Sequence, residues 1–135
     1  MSNEPRITCG GILIKDNKIL LGKRRSDRLY PDIWDIFGGH IEEGETNEET
    51  LVREMEEEIG IKVKEFEYLE SYQDKDPIFG IHYVHHIYII HSWSRTPENR
   101  NPREHESIRW FSKDELKELP MHFEVRRIIF DKVVF

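Results

Sequence analysis

The sequence predicts an α/β fold in which a mixed sheet carries helices on both faces. Apolar, β-branched segments alternate irregularly with segments of helical periodicity along the chain. The links between the first apolar segments are short and rich in turn-forming residues, which favours antiparallel hairpins over crossover connections. These two observations together indicate a mixed sheet packed between helices.

The first third of the chain is predicted to be mainly β-structure. Residues 6–14 are apolar and β-branched, and Asp16 and Asn17 form a turn signal directly after them. The expected elements, in order, are a strand at 6–14, a turn at 16–17, a strand at 18–25, a proline-containing loop at 26–34 and a short strand at 35–37. The short strand ends at two consecutive glycines, Gly38 and Gly39.

One long helix is predicted over residues 47–59. Thr46 is a favourable N-cap residue, and Glu49, three positions later, completes a capping box. Gly60 is expected to end the helix, because glycine adopts the left-handed conformation that commonly follows a C-terminus. A helical wheel places four residues on one apolar arc that is expected to pack on the sheet: Leu51, Val52, Met55 and Ile59.

Three further elements are expected in the second half of the chain. They are one strand over 78–93 or two strands with a bend at Gly80, a short strand at 107–111, and a short helix between Ser112 and Pro120. Ser112 and Glu115 form a second capping box at the start of that helix. Phe123, Ile128 and Val133 have helical spacing, but the β-branched C-terminus leaves open how the last segment ends.

Composition limits the class of protein. A length of 135 residues favours one domain over 1–135. A net charge of −7 argues against a nucleic-acid polymer as partner. The chain has no apolar run of about 18 residues and no signal-peptide pattern at its start, so we expect neither a membrane span nor export. The single cysteine fits a cytoplasmic protein, and either a monomer or a homodimer is expected.

Glutamates are concentrated in the predicted helix. Glu54, Glu57 and Glu58 have i, i+3, i+4 spacing, so they share one stripe that is separate from the apolar arc. Their side chains point toward the N-terminus of the helix, close to the two glycines. Clustered carboxylates favour Mg²⁺ or Mn²⁺, which often also bind phosphate oxygens. The stripe predicts metal-dependent phosphoryl chemistry, with a solvated acidic face as the alternative.

The same segment resembles the signature of the Nudix family, G-x5-E-x7-R-E-U-x-E-E-x-G-U, where U is a bulky aliphatic residue. Gly39 is followed after five residues by Glu45, and seven more residues lead to Arg53 and Glu54. The remaining positions are filled by Met55, Glu57, Glu58, Gly60 and Ile61. The chain departs from many members just before the glycines, where Ile36 and Phe37 replace Leu-Pro.

The resemblance implies an α/β/α sandwich and Mg²⁺-dependent hydrolysis, by attack of water at phosphorus, of a nucleoside diphosphate linked to another moiety. By position in the motif, the implied metal ligands are Glu54, Glu57, Glu58 and the carbonyl of Gly38. Glu45 and Arg53 would pair to brace the loop on the helix. The family often places another carboxylate before the strand at 107–111, as a metal ligand or general base. Glu106 is the preferred candidate and Glu104 is the alternative.

Contacts with the phosphates and the nucleobase are expected from three side chains. Arg24 follows an apolar strand, and the alternation along that strand separates it from the neighbouring cations. It is therefore the candidate for neutralising phosphates, with an ordinary surface position as the alternative. Trp34 and Phe37 flank the glycines and could stack on a nucleobase, although core packing is also open to them.

Histidines and one phenylalanine supply the other candidate contacts with the substrate. The run at 82–91 contains four histidines, and His82 or His86 is expected to line a pocket that faces the active site. A hydrogen-bonded structural histidine is the alternative at both positions. In related hydrolases the loop after the second, short helix can contact the nucleobase, which would place His122 and Phe123 near it.

Three other functions are alternatives to a Nudix pyrophosphohydrolase. An isopentenyl-diphosphate-isomerase-like enzyme needs a cysteine near the glycine loop, and Cys9 lies on another segment. A non-catalytic, nucleotide-binding Nudix domain tends to lose the metal carboxylates, which are all present here. The third is an acidic domain without an active site. Within the preferred function we expect a small nucleotide substrate, with nucleoside triphosphates such as oxidised dNTPs favoured because the chain is short.

Overall fold

The computed structural model of the chain describes residues 4–27 and 31–135. The strands are β1 (Arg6–Lys15), β2 (Lys18–Arg24), β3 (Trp34–Asp35), β4 (Phe37–His40), β5 (Lys62–Lys75), β6 (His82–Ser94) and β7 (His105–Ser112). The helices are α1 (Asn47–Ile59), α2 (Lys113–Leu116) and α3 (Phe123–Lys132). Part of the loop predicted at 26–34 lies outside the described residues, and Trp34 belongs to β3. Within the described residues, no helix is long and apolar enough to cross a bilayer.

The described strands form one mixed sheet. Its main path runs β3-β2-β1-β6-β5, while β4 pairs with β1 and β7 pairs with β2. β1 and β6 are parallel, and the other described pairs are antiparallel. β1 changes partner along its length, because residues 8–11 pair with β4 and residues 14–15 pair with β2. The chain therefore returns to β1 as β4 and places Gly39 opposite Cys9.

Helices cover both faces of the sheet. Alternate residues of β6 enter different cores: Ile87 and Ile89 pack with α3, whereas Tyr88 and Ile90 pack with α1. Such alternation is the expected consequence of the two-residue period of a strand. The helix α1 contributes Leu51, Met55 and Ile59 to its core, and α3 contributes Val125, Ile128 and Ile129 to the other. This arrangement confirms the predicted α/β fold with a mixed sheet between helices.

The helix α1 has the predicted bounds and caps. The Thr46 hydroxyl accepts from the backbone N–H of Glu49, the Glu49 carboxylate accepts from the Thr46 N–H, and Gly60 adopts φ 70°. One residue of the predicted apolar arc does not pack on the sheet, because Val52 is 38% exposed. Val52 lies at the edge of the arc, where the helix surface turns toward solvent.

The strand β5 was not assigned from the sequence. Its residues are rich in glutamate and lysine, and only scattered positions are half-buried, so its apolar signal is weak. β5 forms a long antiparallel pair with β6 at the end of the sheet path, from Lys62 opposite Ser94 to Lys75 opposite His82. Charged residues are frequent on such edge strands because they prevent pairing with other chains. Gly80 lies in the turn before β6, so the run predicted at 78–93 is one strand that begins at His82.

The C-terminal segment is helical up to Lys132. The ring of His122 accepts from the N–H of Glu124 and so caps the first turn of α3. Val133 has extended backbone, a conformation that β-branched residues favour, and it ends the helix. Ser112 and Glu115 form the predicted capping box at the start of the short helix α2.

Candidate active site

The two glycines of β4 bring its backbone against the glutamates of α1. A Cβ atom at Gly39 would overlap the carboxylate of Glu54, and one at Gly38 would overlap the backbone of Cys9 and Gly10. Glu54 itself is only 8% exposed. Glycine is therefore required at position 38, where the backbone of β1 leaves no space, and glycine at position 39 leaves space for the buried Glu54 carboxylate.

Arg53 joins the loop before α1 to the glutamate stripe. Its guanidinium donates to both carboxylate oxygens of Glu45, at 2.7 and 3.0 Å, and to the backbone carbonyl of His40 at 3.0 Å. It also donates to Glu54 at 2.9 Å and to Glu57 at 3.1 Å. The hydrogen bonds from Arg53 lower the pKa of Glu45 to about 2. Glu45 and Arg53 thus form the two-point ion pair that orients the loop on the helix.

Glu58 is more buried than Glu57 on the same stripe of α1. Its side chain is 11% exposed, and the Asn101 amide donates to both of its oxygens at 3.1 Å. The Nδ1 atom of His105 lies 4.0 Å from the Glu58 carboxylate. Burial raises the pKa of Glu58 to about 7, and burial also raises the pKa of Glu54. A bound cation would therefore stabilise the charged forms of both carboxylates.

These groups line one cavity of about 540 Å³, which we call the glutamate cavity. Its walls include Arg24, Asp35, Gly38, Gly39, His40, Arg53, Glu54, Glu57, Glu58, Asn101, Glu104 and His105. The cavity thus combines the predicted metal ligands with groups that sequence reasoning did not assign to the site, among them Asn101 and His105. Both come from the segment before β7 and the start of β7, which carry no periodic signal.

Glu104, and not Glu106, lies in the glutamate cavity. Its carboxylate is 3.9 Å from the Arg24 guanidinium. The preferred candidate from the sequence, Glu106, is absent from the cavity wall and forms an ion pair with Lys23 at 3.0 Å. The reason is a register shift between β2 and β7 at Lys23 and Arg24, since such irregularities redirect neighbouring side chains.

The donor set of the cavity fits a hard divalent cation. The carboxylates of Glu54, Glu57, Glu58 and Glu104 line the cavity, and carboxylate oxygens are the ligands that Mg²⁺ and Mn²⁺ prefer. The Gly39 position supports this fit, because any side chain there would fill the space beside Glu54. Among residues 4–27 and 31–135, no three His, Cys, Asp or Glu side chains are arranged closely enough to surround an ion. In this arrangement two of the predicted ligands, Glu54 and Glu57, instead face the Arg53 guanidinium.

A second cavity of about 240 Å³ adjoins the first, and we call it the aromatic cavity. It is lined by Thr8, Arg24, Ile33, Asp35, His40, Tyr72, Asp74, Asp76, Tyr83, His85 and His122. Three of these residues, Arg24, Asp35 and His40, also line the glutamate cavity, so the two cavities are adjacent, and we refer to them together as the cleft. The Tyr72 ring lies 4.6 Å from the His85 ring and 5.3 Å from the His122 ring.

Two of the six predicted substrate contacts lie in this cleft, namely Arg24 and His122. Trp34 instead packs edge-on against Phe111 in the core, with ring centroids 4.8 Å apart. Phe37 is 1% exposed and belongs to the core under α1. Both aromatics are therefore core residues, which was the alternative left open.

His82 and Phe123 also lie outside the two cavities. His82 forms a 2.8 Å hydrogen bond with Gln73, and Phe123 is 72% exposed on the first turn of α3. His86 contacts Tyr68 at 3.0 Å. The β6 histidine that lines the aromatic cavity is His85, on the opposite face of the strand. The prediction that His82 or His86 lines the pocket is therefore wrong, because side chains alternate between the two faces of β6 and the other face meets the cleft.

The aromatic cavity contains several residues that sequence analysis missed. They are Asp35, Tyr72, Asp74, Asp76, Tyr83 and His85. Tyr72 and Asp74 belong to β5 and Asp76 follows it directly, so these residues could be placed only once β5 was known to pair with β6. Burial raises the pKa of Asp35, and its Oδ1 accepts from the N–H of Ile36 at 2.8 Å.

Cys9 lies closer to the glycine loop than its sequence position suggested. It pairs with Gly39 across β1 and β4. Its side chain is fully buried in the core under α1, and this burial raises the thiol pKa to about 11. Because a thiolate is the reactive form of cysteine, these surroundings are unsuited to a catalytic cysteine.

The structure thus combines a mixed sheet between helices with a stripe of glutamates packed on a glycine strand, which is the arrangement expected from the Nudix-like signature. Comparisons with known proteins agree with this. The family model described as NUDIX domain matches residues 4–132. The CTP pyrophosphohydrolase of Escherichia coli (strain K12) is 31% identical over 113 residues, which are 82% of this chain and 78% of that protein.

Two further comparisons extend over more of the chain. The NAD-capped RNA hydrolase NudC of Pseudomonas aeruginosa is 31% identical over 129 residues, which are 94% of this chain but only 44% of that protein. The crystal structure of a MutT NUDIX hydrolase from Burkholderia pseudomallei has a TM-score of 0.85 at 31% identity, covering 94% of this chain and 97% of that chain. The chain belongs to the Nudix hydrolase family, which confirms the resemblance and the α/β/α fold.

Proposed function

We propose that this protein is a pyrophosphohydrolase that cleaves nucleoside triphosphates, with Mg²⁺ or Mn²⁺ as cofactor. One observation carries the proposal: the glutamate cavity and the aromatic cavity are adjacent and share Arg24, Asp35 and His40 as lining residues. A nucleotide lying along the cleft would place its phosphates at the carboxylates and its nucleobase among the aromatic rings. Arg24, at the junction, would contact phosphate oxygens.

The residues of the glutamate cavity divide into three roles. Glu54, Glu57, Glu58 and the Gly38 carbonyl would hold the cation, which when bound neutralises phosphate charge and lowers the pKa of water. Arg53 and Glu45 hold the loop against α1, and Asn101 fixes the orientation of Glu58. Glu104 is our candidate for accepting the proton of the attacking water, because it lines the same cavity as the ligands.

A nucleoside triphosphate is favoured for two reasons. The cleft has one aromatic end next to the carboxylates, so it can accommodate one nucleobase on one phosphate chain. One relative that covers most of this chain is named as a CTP pyrophosphohydrolase. Attack of water at phosphorus then splits one phosphoanhydride bond. The expected products are a nucleoside monophosphate and pyrophosphate.

A substrate panel tests this proposal. We would measure phosphate and pyrophosphate release with Mg²⁺ or Mn²⁺ from nucleoside triphosphates (including oxidised dNTPs), ADP-ribose, nucleotide sugars and dinucleoside polyphosphates. We expect the highest kcat/KM with a nucleoside triphosphate. A higher value with ADP-ribose or a nucleotide sugar would contradict the proposed substrate class but not the hydrolase.

Variants of the glutamate stripe test the assignment of the ligands. Glu57→Gln and Glu58→Gln should each lower kcat/KM by at least about 100-fold, because each removes a negatively charged ligand. Glu56→Gln is the matched control, since Glu56 lies on the same helix but faces Arg95 at 3.6 Å. Wild-type turnover in both test variants would show that the metal site is elsewhere. Binding of metal and nucleotide without turnover in the wild type would favour a regulatory domain.

A further inference from the structure

Asp76 is a buried carboxylate with an unused acceptor. It follows β5 directly and is 8% exposed. Its Oδ2 atom accepts from the backbone N–H of Phe79, but its Oδ1 atom is buried without a hydrogen-bond partner among the described residues. Asp76 lines the aromatic cavity. A buried carboxylate oxygen without a partner is costly, so it indicates a position where a ligand supplies a donor.

The hydrogen-bonding groups around Asp76 are mostly committed to one another. Both ring nitrogens of His85 are occupied, Nδ1 by the Thr8 hydroxyl at 2.6 Å and Nε2 by Asp74 at 2.9 Å. His122 accepts from the N–H of Glu124 through its Nδ1 atom, and its Nε2 atom lies 3.7 Å from Asp74. The two imidazoles are therefore engaged within the protein, whereas Asp76 Oδ1 has no partner among the described residues.

The charge of the cavity points in the same direction. Asp35, Asp74 and Asp76 contribute three carboxyl groups to its wall, whereas its arginine, Arg24, lies at the junction and faces Glu104. Carboxylates accept hydrogen bonds, and they repel the carbonyl oxygens of a ligand. A ligand part that fits this wall must be flat, to stack on Tyr72 or Tyr83, and must carry N–H donors on its edge.

We propose that Asp76 makes this cleft selective for nucleobases with an exocyclic amino group over the corresponding oxo nucleobases. The inference rests on the proposed function, because it assumes that the aromatic cavity holds the nucleobase. Cytosine and adenine present an amino group where uracil and hypoxanthine present a carbonyl oxygen. The amino group donates to Asp76 Oδ1, whereas the carbonyl would place two acceptors against each other. Asp76 is thus assigned as a specificity-determining residue.

Equilibrium binding of nucleoside monophosphates tests this assignment without depending on turnover. Two matched pairs, CMP with UMP and AMP with IMP, differ at the amino or oxo position, and calorimetry in Mg²⁺ gives each Kd. One hydrogen bond to a buried carboxylate corresponds to a preference of about 10- to 100-fold. We therefore expect the wild type to bind the amino member of at least one pair more tightly by that factor.

Asp76→Asn is the informative variant. The asparagine carbonyl can still accept from Phe79, while its NH₂ group can donate to a carbonyl oxygen of the ligand. The ratio of the two Kd values in each pair should fall to within about threefold, because the hydrogen bond that favoured the amino group is lost. Asp114→Asn makes the same chemical change on the exposed helix α2, where Asp114 pairs with Lys117, and should leave the preference unchanged. Thermal unfolding of each variant shows whether it is folded.

Several results would overturn the assignment. They are equal Kd values within both wild-type pairs, an unchanged preference in a folded Asp76→Asn variant, and no binding of any of the four nucleotides at millimolar concentration. A preference for CMP over dCMP with equal binding of CMP and UMP would assign the contact to the sugar and overturn it as well. Failure of the proposed function is distinguished by the substrate panel, because these binding measurements do not require hydrolysis.

Discussion

Removing the Asn101 amide tests whether the segment before β7 positions the candidate metal ligands. Asn101 donates to both oxygens of Glu58 at 3.1 Å, and the Glu58 side chain is only 11% exposed. Water therefore cannot readily replace the lost donor in Asn101→Ala. The backbone groups of Asn101, which bond to Asn99, Glu104 and His105, are retained in the variant. The substitution consequently removes the Glu58 contact while keeping the loop.

The expected size of the effect follows from that single contact. A hydrogen bond to a charged group stabilises by about 1.5–3 kcal/mol. If this energy orients Glu58 for the transition state, its loss lowers kcat/KM about 10- to 100-fold. The assay is steady-state hydrolysis of the best substrate, together with Mn²⁺ binding by calorimetry. We expect both activity and Mn²⁺ affinity to fall.

A matched control separates this effect from general damage. Gln73→Ala also removes an amide that bonds one side chain, since Gln73 contacts His82 at 2.8 Å outside both cavities. It should keep wild-type kinetics. The reasoning is refuted if Asn101→Ala, folded by circular dichroism, retains wild-type kcat/KM and Mn²⁺ affinity.

Three further predictions concern the surroundings of the site. Gly39→Ala should still fold, with a loss of about 1–3 kcal/mol in unfolding free energy that thermal unfolding measures. Its kcat/KM should fall at least about tenfold in steady-state kinetics, because the new Cβ displaces the Glu54 carboxylate. Glu45 has a pKa lowered from 4.5 to about 2, so the Tm advantage of the wild type over Glu45→Gln should be complete above pH 4.5 and shrink as the pH falls toward 2. Equal Tm differences at pH 7 and pH 2.5 would argue against the Arg53 pair as its source. Cys9 is fully buried with a pKa of about 11, so a thiol reagent at pH 8 should label it at least about 100-fold faster after unfolding.

The helix α1 shows how much of the fold could be predicted from local signals. Its capping box, its glycine stop and its glutamate stripe depend on contacts within about four residues, so they are readable in the sequence. The strand β5 was missed for the opposite reason. It is an edge strand of charged and half-buried residues, and its structure depends on pairing with β6. No local pattern records that pairing.

The candidate site divides in the same way. The i, i+3, i+4 spacing placed Glu54, Glu57 and Glu58 on one face of α1, because a fixed spacing on one helix gives a fixed geometry, and the family resemblance implied the pair of Glu45 with Arg53. The choice of Glu104 over Glu106 depended on a register shift between β2 and β7. A one-residue change of register exchanges the two faces of a strand, and the sequence alone does not define the register.

The sequence by itself determined the family, the fold class and the placement of the glutamates on one helix face, since these depend on a contiguous motif and its helical period. Only the tertiary structure showed which residues line the aromatic cavity. Asp35 belongs to β3, whereas Asp74 and Asp76 lie at the end of β5 and directly after it, and the sheet brings them to one cavity wall. Substrate selection depends on such side chains, whose proximity is created by strand pairing and not by spacing along the chain.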